Sequence, residues 1–199
     1  LDPNRCLAGM TGMRGTVPPS VGLMKSHAEE IMSYLKQAGV EDMPIGLDIA
    51  ETAMFFELQN AGMNIVDGQQ VMLDAREIKN IDEITLLNQA ATMVDGVYHM
   101  IYEELKPGVR ENDIVALSNQ MLYEMGSDDV EAINAISGER CSPHPHNFTD
   151  RMFRPGDQAF FDILQSYQGY RTCYYRTFNV GTATSEQNDA YIQCREWLD

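Results

Sequence analysis

The chain contains no run of 18 apolar residues, which excludes an ordinary membrane-spanning helix. Positive charge is also scarce. Fourteen Lys and Arg stand against 30 Asp and Glu, a formal net charge of −16 at pH 7. Such a surface repels phosphate rather than neutralising it, so neither nucleic acid nor anionic membrane is expected as a partner. The excess charge reads as a solvated acidic surface. Cysteine is sparse: Cys6, Cys141, Cys173 and Cys194 show no paired spacing, which argues against a disulfide framework. The run from Cys141 to His146 is not a zinc finger, because no second ligand pair follows at metal spacing. The first residues, Leu1-Asp2-Pro3-Asn4, lack the charged and apolar regions of a secretion signal. Reduced thiols and a cytoplasmic setting are therefore expected. There is no initiator Met, and the end, Arg195 to Asp199, stops inside a helical pattern. The chain is expected to be a piece of a longer one. No internal repeat or low-complexity segment interrupts it.

What is present sorts into two parts. Residues 1–21 are rich in Gly and Pro and read as loop. Apolar positions at helical spacing predict a helix from Leu23 to Gln37, ended by Gly39. A short buried strand follows at Pro44 to Ile49, a helix at Glu51 to Asn60, and another short strand at Asn64 to Asp67. That alternation fits a small α/β unit. Val71 to Asn80 reads as a polar connector. Beyond it, Ile84, Leu87, Ala91, Val94, Tyr98, Ile101 and Leu105 recur every three or four residues. They predict a core-facing helix over Asp82 to Leu105, capped by Asp82 and stopped by Pro107-Gly108. A second helix is expected over Glu111 to Met125, with Ile114, Leu117, Met121 and Met125 inward and Gly126 as its cap. Val130 to Ser137 alternates as a strand, with Val130, Ala132 and Asn134 on one face. Ser185 can cap a last helix from Glu186 onward. Two helices followed by strands and a hairpin give an α+β class.

The most informative stretch is Ser142 to Gly181. It begins with the loop His144-Pro145-His146 and turns at Arg154-Pro155-Gly156-Asp157. Two segments of strand composition follow, Gln158 to Gln165 and Tyr170 to Val180. With the turn centred between Tyr167 and Gln168, Asp162 falls opposite Cys173. Directly opposed side chains share a face with Cβ atoms about 4.5–5.5 Å apart. A carboxylate set between Phe160, Phe161 and Ile163 is costly to bury unless something pairs with it. A metal ion or a cationic substrate would offset that cost. So would a structural ion pair with Arg171 or Arg176. Cys173 reads either as a thiolate ligand for zinc or iron or as a small strand residue. His146 reads either as a site histidine, ligand or proton carrier, or as a loop histidine held in a turn.

These residues carry a resemblance. Pro145-His146, Gly156-Asp157, Asp162 and Arg176-Thr177-Phe178 stand where the creatinase/aminopeptidase P superfamily, the pita-bread hydrolases, carries its Pro-His, Gly-Asp turn, strand Asp and Arg-Thr-Phe. Arg76, Lys79 and Asp82-Glu83 match the stretch that precedes the family's first catalytic-domain helix. Cys173 departs from the pattern: the family has a second metal-binding Asp there. The resemblance implies that residues 76–199 are the first half of a pita-bread domain. Residues 1–75 would be the end of the family's smaller N-terminal domain. It also implies hydrolysis of a C–N bond in a small or dipeptide substrate, as by an Xaa-Pro peptidase, and a homodimer. A divalent metal, Mn, Co, Zn or Fe, would be held by Asp162 and Cys173, and the site is at most mononuclear if Cys173 is not a ligand. His146 would act in catalysis and His144 in substrate contact, with the two histidines interchangeable on spacing. Two alternatives stay open: a metal-free creatinase-like amidinohydrolase, and a non-catalytic pita-bread domain that binds a partner. The family's later site residues, a histidine and two glutamates, would lie beyond Asp199.

Overall fold

The computed structural model describes residues 21–199, and the Gly- and Pro-rich segment 1–20 with Cys6 lies outside them. The chain divides into two compact units, with the boundary between Ile78 and Lys79.

The first unit runs α1 (Leu23–Ala38), β1 (Ile45–Leu47), α2 (Thr52–Asn60), β2 (Ile65–Asp67) and α3 (Gln69–Glu77). β1 and β2 pair in parallel, Ile45 against Ile65 and Leu47 against Asp67, as a βαβ connection through α2 requires. A small core forms where Ala28 of α1 and Leu58 of α2 meet Met63, with Met32, Leu35, Ile45 and Ile65 packed around them. Residues 69–77, read from the sequence as connector, are helical, and Asp67 accepts from the Gln69 amide at 2.9 Å. No residue of α3 is buried, and its apolar residues Val71, Met72 and Leu73 are exposed.

The second unit runs α4 (Ile81–Glu104), α5 (Glu111–Glu124), β3 (Asp129–Ser137), β4 (Gln158–Tyr167), β5 (Tyr170–Asn179) and α6 (Ser185–Leu198). The three strands form one antiparallel sheet in the order β3-β4-β5. One sheet face packs on α4 and α5. Val94, Val97, Ile101, Ile114 and Leu122 from the helices meet Ile133, Ala135, Phe161 and Ile163 from the strands. This is the α+β arrangement expected from the sequence.

Three expectations about the helices shift. Ser185 does not cap α6: Thr184 does, its side chain accepting from the Gln187 amide at 3.2 Å. The cap of α4 is Asn80, not Asp82: its side chain accepts from the Asp82 and Glu83 amides at 2.9 Å, and the Asn80 amide donates to Glu83 Oε2 at 2.7 Å. That reciprocal box satisfies orphan donors that Asp82, one residue too late, cannot reach. On α5 the inward face is Glu111, Ile114, Val115, Ser118 and Leu122, while Leu117 is exposed. A reading that counts only apolar residues misses it, because two polar side chains occupy the buried stripe.

The hairpin register also differs. The turn is Gln168-Gly169, both at positive φ (51° and 79°), the two-residue geometry whose twist suits a hairpin. Asp162 therefore opposes Tyr175, and Cys173 opposes Leu164. The slip is two residues. Side chains alternate with a period of two, so Asp162 and Cys173 keep the same face and become diagonal neighbours.

Candidate functional site

The sheet face turned away from α4 and α5 carries Asn134 of β3, Phe160 and Asp162 of β4, and Cys173 and Tyr175 of β5. Asp162 is only 2% exposed. Its Oδ2 accepts from Asn134 Nδ2 at 3.2 Å, and its Oδ1 lies 3.4 Å from the Cys173 thiol, which donates to it. Neither expected arginine pairs with it. Arg171 meets Glu131 at 2.5 Å. Arg176 lies 4.7 Å from the centre of the Tyr174 ring and reaches Asp95 at 3.9 Å. Among the described residues no ion pair includes Asp162, so a buried carboxylate is held by neutral donors and no cation.

The neighbourhood feels that charge. Partial burial, then the hydrogen bond to Asp162 and the carboxylates of Asp162 and Glu131, push the Cys173 thiol up from its usual value. Desolvation, the Asp162 charge and a hydrogen bond to it raise the Tyr175 phenol in the same sense. On the far side of the sheet, the Tyr98 hydroxyl donates to the Phe161 and Tyr174 carbonyls at 3.0 and 2.6 Å, tying β4 to β5 beside the site. Burial, then the charge of Asp162, hold its phenol far above its usual range.

The histidines stand at the rim. His144 and His146 are exposed, with ring centroids 5.2 Å apart. His144 sets its edge against Phe160 at 5.1 Å, and Phe160 in turn packs on Tyr175 at 6.1 Å. A row of rings thus links the loop to the tyrosine beside Asp162. Among the described residues neither imidazole is hydrogen-bonded to Asp162 or Cys173. The structure brings Asp162 and Cys173 together as expected, and brings His144, more closely than His146, against the same sheet face.

Sequence reasoning missed what holds this loop. Glu111, in the first turn of α5, is fully buried. Its Oε1 accepts from Ser137 Oγ at 2.7 Å. Its Oε2 accepts from Arg140, from the Thr149 amide at 2.9 Å and from Thr149 Oγ1 at 2.8 Å. Arg140 also donates to Asn147 Oδ1 at 2.6 Å. Alongside, Arg151 donates to Ser137 Oγ at 2.8 Å, to Asp157 at 2.5 Å and to Glu139 at 2.9 Å. Gly138, at φ 58°, makes room for it: a Cβ there would fall 2.3 Å from Arg151 Nη2. An acid in a first helical turn reads as a dipole partner, so nothing in the sequence marks Glu111 as buried. Asn134 was more legible, as the polar member of a predicted strand face that it shares with Val130 and Ala132.

Among the described residues no group of three or more His, Cys, Asp or Glu side chains is arranged to hold a metal. The donors that fit one are Asp162 and Cys173, an oxygen and a sulfur on one face. A transition metal takes about four or more ligands, so this pair would be part of a set completed by other residues.

The family model described as metallopeptidase family M24 matches residues 85–199. The uncharacterized peptidase YqhT of Bacillus subtilis is 26% identical over 177 residues, covering 85% of this chain and 48% of that protein. An Xaa-Pro dipeptidase of Pyrococcus furiosus is 26% identical over 122 residues, 61% of this chain and 35% of the relative. Among solved structures, a recombinant prolidase from Thermococcus sibiricus superposes with a TM-score of 0.72 at 27% identity, covering 87% of this chain and 48% of that one. The chain spans less than half the length of each.

Proposed function

The chain belongs to metallopeptidase family M24, and on that premise we propose that the whole protein hydrolyses a C–N bond in a small substrate in the manner of an Xaa-Pro dipeptidase. One observation carries the reading: a carboxylate 2% exposed, hydrogen-bonded only by neutral donors and without a cation among the described residues. A buried charge of that kind is costly unless a bound cation completes it. Asp162 and Cys173 are the donors this chain would offer to a divalent metal, whether Mn, Co, Zn or Fe. When bound, such a metal supplies Lewis-acid polarisation of the scissile carbonyl. Asn134 orients the Asp162 carboxylate. His146, exposed on the loop, carries a proton to or from the reacting group, and His144 contacts substrate against Phe160. The unpaired thiols of Cys141, Cys173 and Cys194 support a cytoplasmic setting, and the family resemblance supports a homodimer.

A metal-free, creatinase-like amidinohydrolase is favoured by one feature. Cys173 stands where the family has a metal-binding Asp, and its thiol donates a hydrogen bond to Asp162 at 3.4 Å. The full-length protein separates the two. On the first reading it retains divalent metal and cleaves Xaa-Pro dipeptides, and Asp162→Asn loses metal and about a hundredfold or more in kcat/KM. An Asp162→Asn protein with wild-type metal content and wild-type hydrolysis defeats it. Indifference to chelators, hydrolysis of amidino or N-acyl compounds, and loss of that activity in His146→Ala would establish the second.

A further inference from the structure

Glu111 is the one fully buried carboxylate among the described residues that the proposed chemistry does not use. It lies on α5, yet its partners are the two ends of the histidine loop. Arg140 precedes His144 by four positions and Thr149 follows His146 by three, and both donate to the same oxygen, Oε2. Beyond Cys141 the loop between them has no helix or strand and exposes His144, His146, Asn147 and Phe148. Few apolar contacts therefore fix its path, and its hydrogen bonds must. From the Glu111 anchor, Arg140 reaches across the loop to the Asn147 side chain, next to His146. The Asn147 carbonyl accepts from the Ala135 amide at 3.1 Å, and the Thr149 carbonyl from the Asn112 amide at 3.1 Å.

We propose that Glu111 is the positioning residue for the His144–His146 loop: its buried carboxylate gathers Ser137, Arg140 and Thr149 and so sets where the two imidazoles stand over the sheet face of Asp162. This rests on the hydrolase reading for the meaning of the histidines, but not for the geometry. A negatively charged acceptor makes the bonds to Arg140 and Thr149 charge-assisted, roughly twice as strong as neutral ones. One such anchor at the loop's base orders both histidines at once.

The test uses the full-length protein with Glu111→Gln, Arg140→Lys and Thr149→Val. Arg140→Lys keeps the charge but loses the fork that spans Glu111 and Asn147. Thr149→Val removes only the hydroxyl. Hydrogen–deuterium exchange of amides 142–149 is read beside that of β3, β4 and β5. The expected result is exchange at least about tenfold faster in the loop with the strands unchanged in Arg140→Lys and Glu111→Gln, and a smaller effect in Thr149→Val. Acceleration spread evenly over loop and strands, or none in the loop, overturns the proposal. If Glu111→Gln does not fold, Arg140→Lys and Thr149→Val decide by the same readout. With substrate, kcat falls about a hundredfold in Arg140→Lys while KM moves less than about threefold, because a misplaced imidazole loses the transition state more than the ground state. An Arg140→Lys protein with wild-type kcat overturns the catalytic consequence. A wild-type protein without hydrolytic activity sinks the hydrolase reading and leaves the exchange result to judge Glu111.

Discussion

Beneath the histidine loop, Asp157 accepts from Arg151 at 2.5 Å and from the Arg154 amide at 2.9 Å. Burial works to raise its carboxyl, but these bonds and the two guanidinium charges outweigh it, and the carboxyl lies below its usual range. The folded state thus binds this proton more weakly than the unfolded one. The resulting stability is present above the unfolded value of about 3.9 and is lost as pH falls through the lower folded value. Asp157→Asn should therefore be less stable than wild type near neutrality by about 1–3 kcal/mol. That gap should close as pH drops from about 5 to 2. Thermal melts of both proteins across that range check it, and a gap independent of pH would refute it. The same physics governs what the sequence revealed. Asp162 stood out because a charge inside an apolar strand is costly wherever the strand lies. Glu111 and Asp157 did not, because each sits at a turn or helix start where an acid is ordinary, and only the fold shows that Arg140 and Arg151 close over them.

At the scale of elements, helices α1, α2, α4 and α5 were legible because each sets apolar residues at helical spacing against a core, and α6 was legible from its start signal although, like α3, it buries no residue. The hairpin strands were legible too, but not their register, since strand composition says nothing about which residues turn. The turn itself decides it. Gln168 holds φ at 51°, a left-handed conformation that a side chain of its kind adopts at a cost, followed by Gly169 at 79°. Asn tolerates that conformation better, and Asn-Gly is the favoured pair for a two-residue hairpin turn. Gln168→Asn should raise stability by about 0.5–1 kcal/mol, read from the midpoint of denaturant unfolding at constant slope. In the register with Asp162 opposite Cys173 the turn would lie one residue earlier, and the substitution would gain nothing. A neutral or destabilising result would therefore count against the pairing of Asp162 with Tyr175 and against the diagonal contact of its carboxylate with Cys173.

Over the whole molecule, 30 acidic residues face 14 basic ones, so more than half of the carboxylates have no cation of their own to meet. The basic residues nearest the buried carboxylates are already committed: Arg140 to Glu111, Arg151 to Asp157 and Glu139. The remaining negative charge repels itself in the folded state more than in the expanded one. Salt weakens long-range repulsion between exposed charges, the Debye length falling from about 30 Å at 0.01 M to about 3 Å at 1 M, but acts much less on buried pairs such as Glu111 with Arg140. Repulsion is thus screened while the principal attractions survive. Raising sodium chloride from about 0.01 to 0.5 M should raise the melting temperature by about 2–5 °C, measured at neutral pH with the thiols kept reduced. A melting temperature that falls over that range would mean that exposed ion pairs such as Arg171 with Glu131, and not the surplus of carboxylates, dominate the electrostatics of folding. If the expected rise is seen, divalent ions at low millimolar concentration should exceed sodium's effect at equal ionic strength only where Asp162 is intact, because a specific site adds binding energy that screening cannot. Loss of that excess in Asp162→Asn would separate a cation held at the sheet face from a diffuse atmosphere around an acidic protein.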